Sequence, residues 1–242
     1  MRRAIVNFFW GPKYLREALA SISRSVPVGV PRIAITDEAT ARLIRGSPFE
    51  RVIVAAIRNR SLLGKAELIT NLPAEFDSFL FLDTDAVVVG DISHAFARAE
   101  TFGIAAAMAP HYSLDAFWDF HRVLNALGVP CVNQLQYNTG VLFFVRRPDV
   151  DAVFHKWHEL TTLHIEGVAY DNDQPFFTLA LELLGFNPYT LSPSYNYRAL
   201  GELASGTIRI WHSHAPVPAD INSFSDTWPP RRYYAGERLP FR

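Results

Sequence analysis

Two aspartates separated by one residue, Asp83 and Asp85, follow a run of small and apolar residues, Ser78-Phe79-Leu80-Phe81-Leu82. Such a run predicts a strand buried on both faces, so the two carboxylates are expected at the edge of the core. Carboxylates are costly there unless a positive group neutralises them. Mg²⁺ and Mn²⁺ prefer oxygen ligands, and the segment therefore predicts a divalent metal site. The alternative is a solvated acidic turn, because an Asp-x-Asp pattern alone is common on protein surfaces.

The elements before this segment alternate between strand and helix. Short apolar runs favour strands, and apolar residues at helical spacing favour helices, which gives strands at 3–9, 31–36, 50–56 and 78–82 and helices at 14–23, 37–44 and 65–72. This alternation predicts an α/β fold with a mostly parallel sheet and helices on both faces. Such sheets bind ligands at the carboxyl ends of their strands, where Asp83-Thr84-Asp85 is expected to lie.

The second half of the chain is less regular. Its apolar patterns favour strands at 102–108, 140–145 and 207–211 and helices at 114–127, 150–163 and 173–184. No repeat, low-complexity tract or shift in composition marks an independent linker, so one domain over 1–242 is expected.

The composition is that of a globular protein with a sizeable core. Of the 242 residues, 49% are hydrophobic and 19% are charged, and the formal net charge is −1. This balance argues against disorder and against a nucleic-acid-binding surface, which is usually basic. The single cysteine, Cys131, cannot form a disulfide within the chain, so a disulfide-built scaffold is excluded.

Signals for membranes and secretion are weak. No apolar run approaches the 18 or more residues typical of a membrane span, and the apolar stretch after Arg2-Arg3 ends at Gly11-Pro12, too early for a secretion signal. We therefore expect a cytoplasmic protein. The segment Arg231-Arg232-Tyr233-Tyr234 is expected to be a surface tail, with peripheral contact to the inner face of a membrane as the alternative.

Four segments together resemble the GT-A fold glycosyltransferases, and most closely the family 8 branch of glycogenin and bacterial galactosyltransferases. Asp83-Thr84-Asp85 is similar to the Asp-x-Asp motif of that family. In the family's order follow Asn138-Thr139-Gly140-Val141, Asn172-Asp173-Gln174-Pro175-Phe176-Phe177 and Ile210-Trp211-His212. Asp37 also matches a common family position. The resemblance covers residues 3 to 214, and four motifs in the correct order are hard to obtain by chance.

The resemblance implies an enzyme that moves a hexose from a nucleotide diphosphate sugar, by default a UDP-sugar, to a hydroxyl of a glycan or other acceptor. Asp83 is expected to contact Mn²⁺ or Mg²⁺ and the donor ribose, Asp85 to be the principal carboxylate ligand, and His212 to complete the protein's ligands. His214 is the alternative to His212, since residues i and i+2 of a strand share a face. The metal is expected to bridge the donor phosphates and stabilise the leaving nucleoside diphosphate.

Further donor contacts are implied at four positions. Lys65 resembles a basic residue upstream of the Asp-x-Asp strand that lies near the donor phosphates or base. Thr84, Phe8 and Asp37 are the other expected donor contacts.

Three residues of the second half are expected at the transferred sugar. Asp173 and Gln174 are expected beside it, and Asn138 is expected to hydrogen-bond the sugar or the acceptor. The family branch retains the anomeric configuration, which makes Asp173 the candidate nucleophile or electrostatic support on the β-face of the sugar. The alternative for Asp173 is capping of the following helix, a role for which Asp171 and Asn172 also compete.

The resemblance divides the single domain 1–242 into a nucleotide-binding half, 1–100, an acceptor and catalytic half, 101–215, and a C-terminal tail, 216–242. The chain departs from the family after His212. The usual Gly and Lys-Pro-Trp segment, whose lysine contacts phosphate, has no match here. Arg231 and Arg232 are the candidate substitutes, and the sequence does not fix either.

Rival functions and the acceptor site are open from sequence. A haloacid-dehalogenase-type phosphatase also begins its first motif with an apolar strand and Asp-x-Asp. That strand is usually near the chain start, whereas here three strands precede it. A non-catalytic carbohydrate-binding relative is the third possibility, and it predicts loss of a metal ligand. Trp118, Tyr112 and Tyr137 are candidates for stacking on acceptor sugars, with core packing as the alternative.

Overall fold

A computed structural model gives the structure of the chain over residues 1–44, 46, 48–130, 133–163, 170–200 and 206–221, with the backbone alone for 110–112. Cys131 and the segment 222–242, which includes Arg231 and Arg232, lie outside the described residues. In the described part, no helix is long and apolar enough to cross a membrane.

The core of the fold is a seven-stranded sheet with the order β3-β2-β1-β4-β7-β6-β8. The strand pairings make β7 the one strand of this sheet that runs antiparallel to the others. A second sheet, described over two strands, pairs β5 with β9. The strands are β1 (Arg3–Phe9), β2 (Arg32–Thr36), β3 (Arg51–Val54), β4 (Ser78–Leu82), β5 (Ala86–Val88), β6 (Ile104–Ser113), β7 (Leu135–Val145), β8 (Tyr189–Leu191) and β9 (Ile210–His212).

Helices pack on both faces of the large sheet, as the α/β pattern predicts. They are α1 (Gly11–Arg24), α2 (Glu38–Ala41), α3 (Ser93–Phe102), α4 (His121–Ala126), α5 (Pro148–Thr162) and α6 (Gln174–Leu184). Within the described ranges, 3₁₀ helices cover Leu62–Asn71, Phe117–Asp119 and Pro193–Tyr195.

The central strand β4 explains why its sequence is wholly apolar. Side chains alternate across a strand, and Phe79 and Phe81 join the core formed with α5 and α6. Leu80 and Leu82 join the core on the other face, with α3. Because both faces are covered, every position of β4 is buried. The mixed, mostly parallel α/β sheet expected from sequence is therefore confirmed.

Local differences from the predicted elements have identifiable causes. The predicted helix at 65–72 is the 3₁₀ helix Leu62–Asn71, in which the carboxylate of Glu67 accepts hydrogen bonds from the backbone N–H groups of Arg58 and Asn59. The predicted helix at 114–127 is interrupted at Trp118, where φ is 48°. Helix α3 and strands β5 and β8 were not predicted, because their patterns are short or weakly periodic.

The small sheet positions the Asp-x-Asp segment. Strand β4 ends at Leu82 and β5 begins at Ala86, so Asp83-Thr84-Asp85 forms the turn between the two sheets. The N–H of Asp83 donates to the carbonyl of Gly140, 2.8 Å away, which fixes the turn to β7. Strand β9 pairs with β5 so that His212 lies opposite Ala86. Residues far apart in the chain thereby meet at one edge of the large sheet.

Replacement of Phe144 by alanine is expected to lower the free energy of unfolding by about 3–5 kcal/mol, because a buried ring would leave a cavity. Phe144 is 1% exposed, and its ring centroid lies 5.4 Å from that of Phe79 and 4.6 Å from that of Phe154. Urea unfolding of the wild type and variant measures the loss. Phe102→Ala is the matched control, since Phe102 is 43% exposed. Equal losses in both variants would contradict the described core.

Candidate active site

Asp83, Asp85 and His212 form a cluster at the end of β4, and each offers one ligand atom within 4.8 Å of the others. The Nε2 atom of His212 lies 3.3 Å from Oδ1 of Asp85 and 3.7 Å from Oδ2 of Asp83. The side chain of His212 is 5% exposed, and those of Asp83 and Asp85 are 25% and 16% exposed. One side of the cluster therefore remains open to a ligand.

The charge of this cluster fits a divalent cation. Burial alone would raise the pKa of Asp85, but His212, His214 and Arg198 outweigh it and hold that pKa well below its ordinary value. Asp85 therefore stays ionised, and two carboxylates with one imidazole form a donor set suited to Mn²⁺ or a similar divalent ion.

His214 lies at the rim of the cluster. Its side chain is 69% exposed, and its Nδ1 atom lies 2.9 Å from Oε1 of Glu17. Its Nε2 atom is 3.7 Å from Oδ2 of Asp85. Strand β9 ends at His212, so the strand alternation used to compare the two histidines does not extend to His214. Of the two, His212 is the one that belongs to the three-residue cluster.

Lys65 lies between the metal cluster and Asp173. Its Nζ atom is 3.1 Å from both carboxylate oxygens of Asp83 and 3.7 Å from Oδ1 of Asp173. Burial works against its charged form, but Asp173 and Asp83 outweigh burial and raise the pKa of Lys65. Lys65 is therefore a fixed cation shared by two carboxylates.

Asp173 is a buried carboxylate with a defined environment. It is 3% exposed, and its Oδ2 accepts a hydrogen bond of 2.7 Å from the hydroxyl of Thr139. Burial raises the pKa of Asp173 above its ordinary value, while Lys65 and the bond from Thr139 act in the opposite direction. The indole N–H of Trp157 donates to the backbone carbonyl of Asp173 at 3.0 Å, which fixes Asp173 at the start of α6.

The carboxylate of Asp173 does not cap α6. The side chain of the preceding residue, Asn172, accepts the hydrogen bond from the N–H of Gln174 at 3.0 Å. Asn172 therefore takes the capping role for which three residues competed in the sequence. Gln174 is 8% exposed, and among the described residues its Nε2 atom has no hydrogen-bond partner.

Asn138 lies behind His212 and is 3% exposed. Its Oδ1 atom accepts hydrogen bonds from the N–H of Gly140 at 2.9 Å and from Nδ2 of Asn196 at 2.8 Å. The Oδ1 atom of Asn196 is 2.7 Å from Nδ1 of His212. Sequence reasoning missed Asn196, which lies just after a short 3₁₀ helix and sits in no periodic pattern that would mark it.

Gly140 leaves the space that His212 occupies. An added Cβ at this position would lie 2.1 Å from Cε1 of His212 and 2.7 Å from Oδ2 of Asp83, far inside contact distance. The glycine of the Asn138-Thr139-Gly140-Val141 segment is thus required by the close approach of the metal cluster to β7.

A cavity of about 460 Å³ opens in front of the cluster. Of the residues expected at the donor, it is lined by Phe8, Lys65, Asp83, Thr84 and Asp85. Its other lining residues include Trp10, Lys13, Tyr14, Glu17, Arg60 and Asp171. This size is in the range of small-ligand sites.

Asp37 is close to this cavity but does not line it. Its Oδ1 accepts from the N–H of Thr40 at 2.7 Å, which caps α2, and its Oδ2 lies 3.0 Å from Arg60. Asp37 thus supports the cavity residue Arg60, and the donor contact predicted for Asp37 from sequence stays a prediction. Glu17, which sequence reasoning missed, accepts a hydrogen bond from the hydroxyl of Thr84 and lies beside His214. As a charged residue on a helix, Glu17 resembles any surface acid in the sequence.

Among the three candidate acceptor aromatics, Trp118 is the exposed one whose side chain is described. Its ring is 45% exposed and stacks on Phe117, and its backbone is left-handed, as is that of Asp119 at φ 60°. The hydroxyl of Tyr170 donates to the carbonyl of Phe117 at 2.9 Å. Left-handed backbone at a bulky residue is costly, so the neighbouring contacts must hold it. The side chain of Tyr112 lies outside the described residues.

By sequence, the chain matches no family model and no curated protein. By fold, it is similar to solved glycosyltransferases. The apo form of mouse xyloside xylosyltransferase 1 has a TM-score of 0.55 and 14% identity, over 89% of this chain and 99% of that one.

The glycosyltransferase GlyE of Streptococcus pneumoniae TIGR4 matches in two structures, with TM-scores of 0.52 and 0.51 and identities of 15% and 17%. Each match covers 82% of this chain and 47% of GlyE, so the chain spans about half of the GlyE length. These likenesses show a GT-A-like glycosyltransferase fold. Membership of the family 8 branch stays a prediction.

Replacement of Gly140 by alanine is expected to displace His212 and to weaken Mn²⁺ binding at least about 10-fold, because the added methyl would occupy the ring position. Isothermal titration with Mn²⁺ measures the change. Gly90→Ala is the control, since its added Cβ would meet Arg209 at 3.1 Å, away from the cluster. Unchanged Mn²⁺ affinity in Gly140→Ala would contradict the position of His212.

Proposed function

We propose that this chain is a metal-dependent glycosyltransferase that moves a sugar from a nucleotide diphosphate to an acceptor hydroxyl. The observation that carries the proposal is the cluster of Asp83, Asp85 and His212 at the cavity, beside the buried pair of Lys65 and Asp173. The fold shared with xyloside xylosyltransferase 1 and GlyE supports the same reaction class.

The charges that line the cavity explain why a metal is needed for a diphosphate. Three cationic side chains and four carboxylates line it: Lys13, Arg60 and Lys65, with Glu17, Asp83, Asp85 and Asp171. This lining is net acidic and would repel a diphosphate. Asp83, Asp85 and His212 would hold a divalent ion here, and when bound it would reverse the sign of the local charge and supply Lewis-acid stabilisation of the leaving diphosphate.

The chain's own residues hold the donor around that ion. Lys65 contributes a fixed positive charge on the side of Asp173, and Lys13 and Arg60 are cations elsewhere on the cavity wall. The rings of Phe8, Trp10 and Tyr14 give the same cavity an apolar, aromatic wall suited to a nucleobase. We propose a UDP-hexose as the donor, following the family resemblance.

Asp173 is proposed to act on the transferred sugar. Its carboxylate is buried and is kept available by Lys65 and Thr139 rather than used as a helix cap. It either attacks the anomeric carbon as the bond to the diphosphate breaks, or stabilises the positive charge that develops there. Either route agrees with retention of configuration. Gln174 follows Asp173 in sequence, and its Nε2, which has no partner within the described part of the chain, is proposed to donate to a sugar hydroxyl.

The acceptor is proposed to be a glycan or another hydroxyl compound. Trp118 offers an exposed indole face, which complements the apolar face of a sugar ring. Its turn is tied to Tyr170, the neighbour of the cavity residue Asp171. We therefore propose that the acceptor approaches from this side of the cavity.

No observation favours the rival functions. A non-catalytic relative would lack a metal ligand, and all three ligand types are present. A haloacid-dehalogenase-type phosphatase would carry its first aspartate after an early strand, whereas Asp83 follows the fourth strand in the chain.

Thermal unfolding with UDP, GDP, CMP, UDP-hexoses and UDP-xylose, each with Mn²⁺ or a chelator, tests the proposal. A ligand at about 100 times its Kd stabilises the native state by about 2.7 kcal/mol, which raises the Tm of a chain of this size by about 5–10 °C. We expect this rise with uridine nucleotides only when Mn²⁺ is present, and we expect its loss in Asp85→Asn.

Asp151→Asn, at the start of α5, is the matched control and should keep the full rise. Absence of any rise with every nucleotide and Mn²⁺, in a folded sample, would refute the proposed function. A rise with a guanosine or cytidine nucleotide alone would keep the enzyme class and replace the donor.

The replacement Asp173→Asn is expected to lower kcat at least about 100-fold, because it removes the negative charge that stabilises the transition state. The nucleotide-dependent rise in Tm should remain, since the metal cluster is intact. Steady-state transfer or donor hydrolysis measures kcat, again with Asp151→Asn as the control. A kcat close to that of the wild type would remove Asp173 from the proposed chemistry.

A further inference from the structure

Three polar groups behind the metal cluster form one continuous row of hydrogen bonds. The N–H of Gly140 is bonded to Oδ1 of Asn138, the Nδ2 of Asn196 is bonded to the same oxygen, and Oδ1 of Asn196 is bonded to Nδ1 of His212. The three distances are 2.9, 2.8 and 2.7 Å. Asn138, Asn196 and His212 are each 4% exposed or less, so water does not compete for these bonds.

The direction of every bond in this row follows from its first member. A backbone N–H can only donate, so the atom of Asn138 that faces Gly140 must be the carbonyl oxygen. That oxygen can only accept, so Asn196 must turn its amide nitrogen toward it. The oxygen of Asn196 then faces His212 and can only accept. Nδ1 of His212 must therefore carry a proton.

We infer that Asn196 and Asn138 are positioning residues that hold His212 with its proton on Nδ1, so that the lone pair of Nε2 faces Asp83 and Asp85. The inference rests on the proposed metal site. A neutral imidazole binds a metal through its unprotonated nitrogen, so only this tautomer presents Nε2 to a metal in the cluster. Partners on the far nitrogen of a metal-binding histidine commonly fix its ring in this way.

The row of hydrogen bonds also gives Asn138 a role besides the sugar contact expected from sequence. Both bonds accepted by its Oδ1 come from protein groups, which uses the two acceptor positions of a carbonyl oxygen. That oxygen has no capacity left for a sugar hydroxyl. These bonds engage only Oδ1 of Asn138, so the sequence-based expectation that Asn138 hydrogen-bonds the sugar or the acceptor stays a prediction. An action on His212 through Asn196 is added to it.

The tautomer is measured directly in the metal-free protein. Imidazole nitrogen chemical shifts of ¹⁵N-histidine protein at about pH 9, where imidazole is ordinarily neutral, identify the protonated nitrogen of His212. The signal is assigned by its absence in His212→Gln. We expect the proton on Nδ1 in the wild type. A ring with its proton on Nε2 and none on Nδ1 would overturn the inference, whether or not any variant folds.

Two variants at Asn196 test whether its side-chain oxygen, rather than its size, supports Mn²⁺ binding. Asn196→Leu removes the acceptor and is expected to weaken Mn²⁺ binding about 10- to 100-fold by titration calorimetry. Asn196→Asp keeps an oxygen that accepts from Nδ1 but loses the N–H that donates to Asn138, so its Mn²⁺ affinity should lie between those of the wild type and Asn196→Leu. Thr161→Ala, which removes a buried hydroxyl bonded to the carbonyl of His158 in α5, controls for loss of one polar contact. Equal Mn²⁺ affinity in Asn196→Leu and the wild type would overturn the inference.

A double replacement tests whether Asn138 acts through Asn196. Asn138→Ala should weaken Mn²⁺ binding in the wild-type background but should have no further effect in Asn196→Leu. A further loss in the double variant would show that Asn138 acts by another route. Failure of the proposed function is distinguishable from failure of this inference. In the first case the wild type binds no Mn²⁺ yet keeps the Nδ1 proton, and in the second the proton is on Nε2.

Discussion

Burial of like charges at one edge of the sheet is the constraint on which the rest of the site depends. Asp83, Asp85 and Asp173 lie close together with little exposure, and Lys65 is the cation that contacts two of them. Neighbouring carboxylates repel one another more strongly where little water reaches them. Lys65 relieves the repulsion between Asp83 and Asp173, and the groups that hold the pKa of Asp85 down are His212, His214 and Arg198. A divalent cation bound beside Asp85 would neutralise the remaining negative charge of this arrangement.

The fold meets this constraint by pinning each charged group to a different element of the core. Asp83 is fixed by its backbone bond to β7, Asp173 by the indole of Trp157, and Lys65 by a 3₁₀ helix packed against α5. Strand β9 adds His212 from far along the chain by pairing with β5. None of these groups can relax far without disturbing a buried element. The charged groups are consequently held in fixed positions, as the proposed transfer reaction requires.

Sequence reasoning succeeded where the signal is local and failed where it depends on tertiary contacts. The apolar sequence of the strand before Asp83 predicts that the strand is buried, and the alternation of strands and helices predicts the sheet. The interruption at Trp118 lies beside a contact from far along the chain, because the hydroxyl of Tyr170 donates to the carbonyl of Phe117. Asn196 and Glu17 are ordinary polar residues in sequence, and they acquire a role only through partners that the fold brings to them.

The segment Asn138-Thr139-Gly140 shows how much of the site one short stretch of β7 controls. Asn138 sets the direction of the hydrogen bonds that reach His212, and Thr139 donates to the carboxylate of Asp173. Gly140 supplies the N–H that orients Asn138, accepts the bond that holds Asp83, and leaves space for the imidazole ring. Successive side chains of a strand point to opposite sides, so neighbouring residues of one strand can contact both the metal cluster and Asp173. Strand β7 runs antiparallel between β4 and β6, so its amino-terminal half, which holds these three residues, lies at the carboxyl end of β4. A parallel strand in the same place would put its carboxyl end there instead.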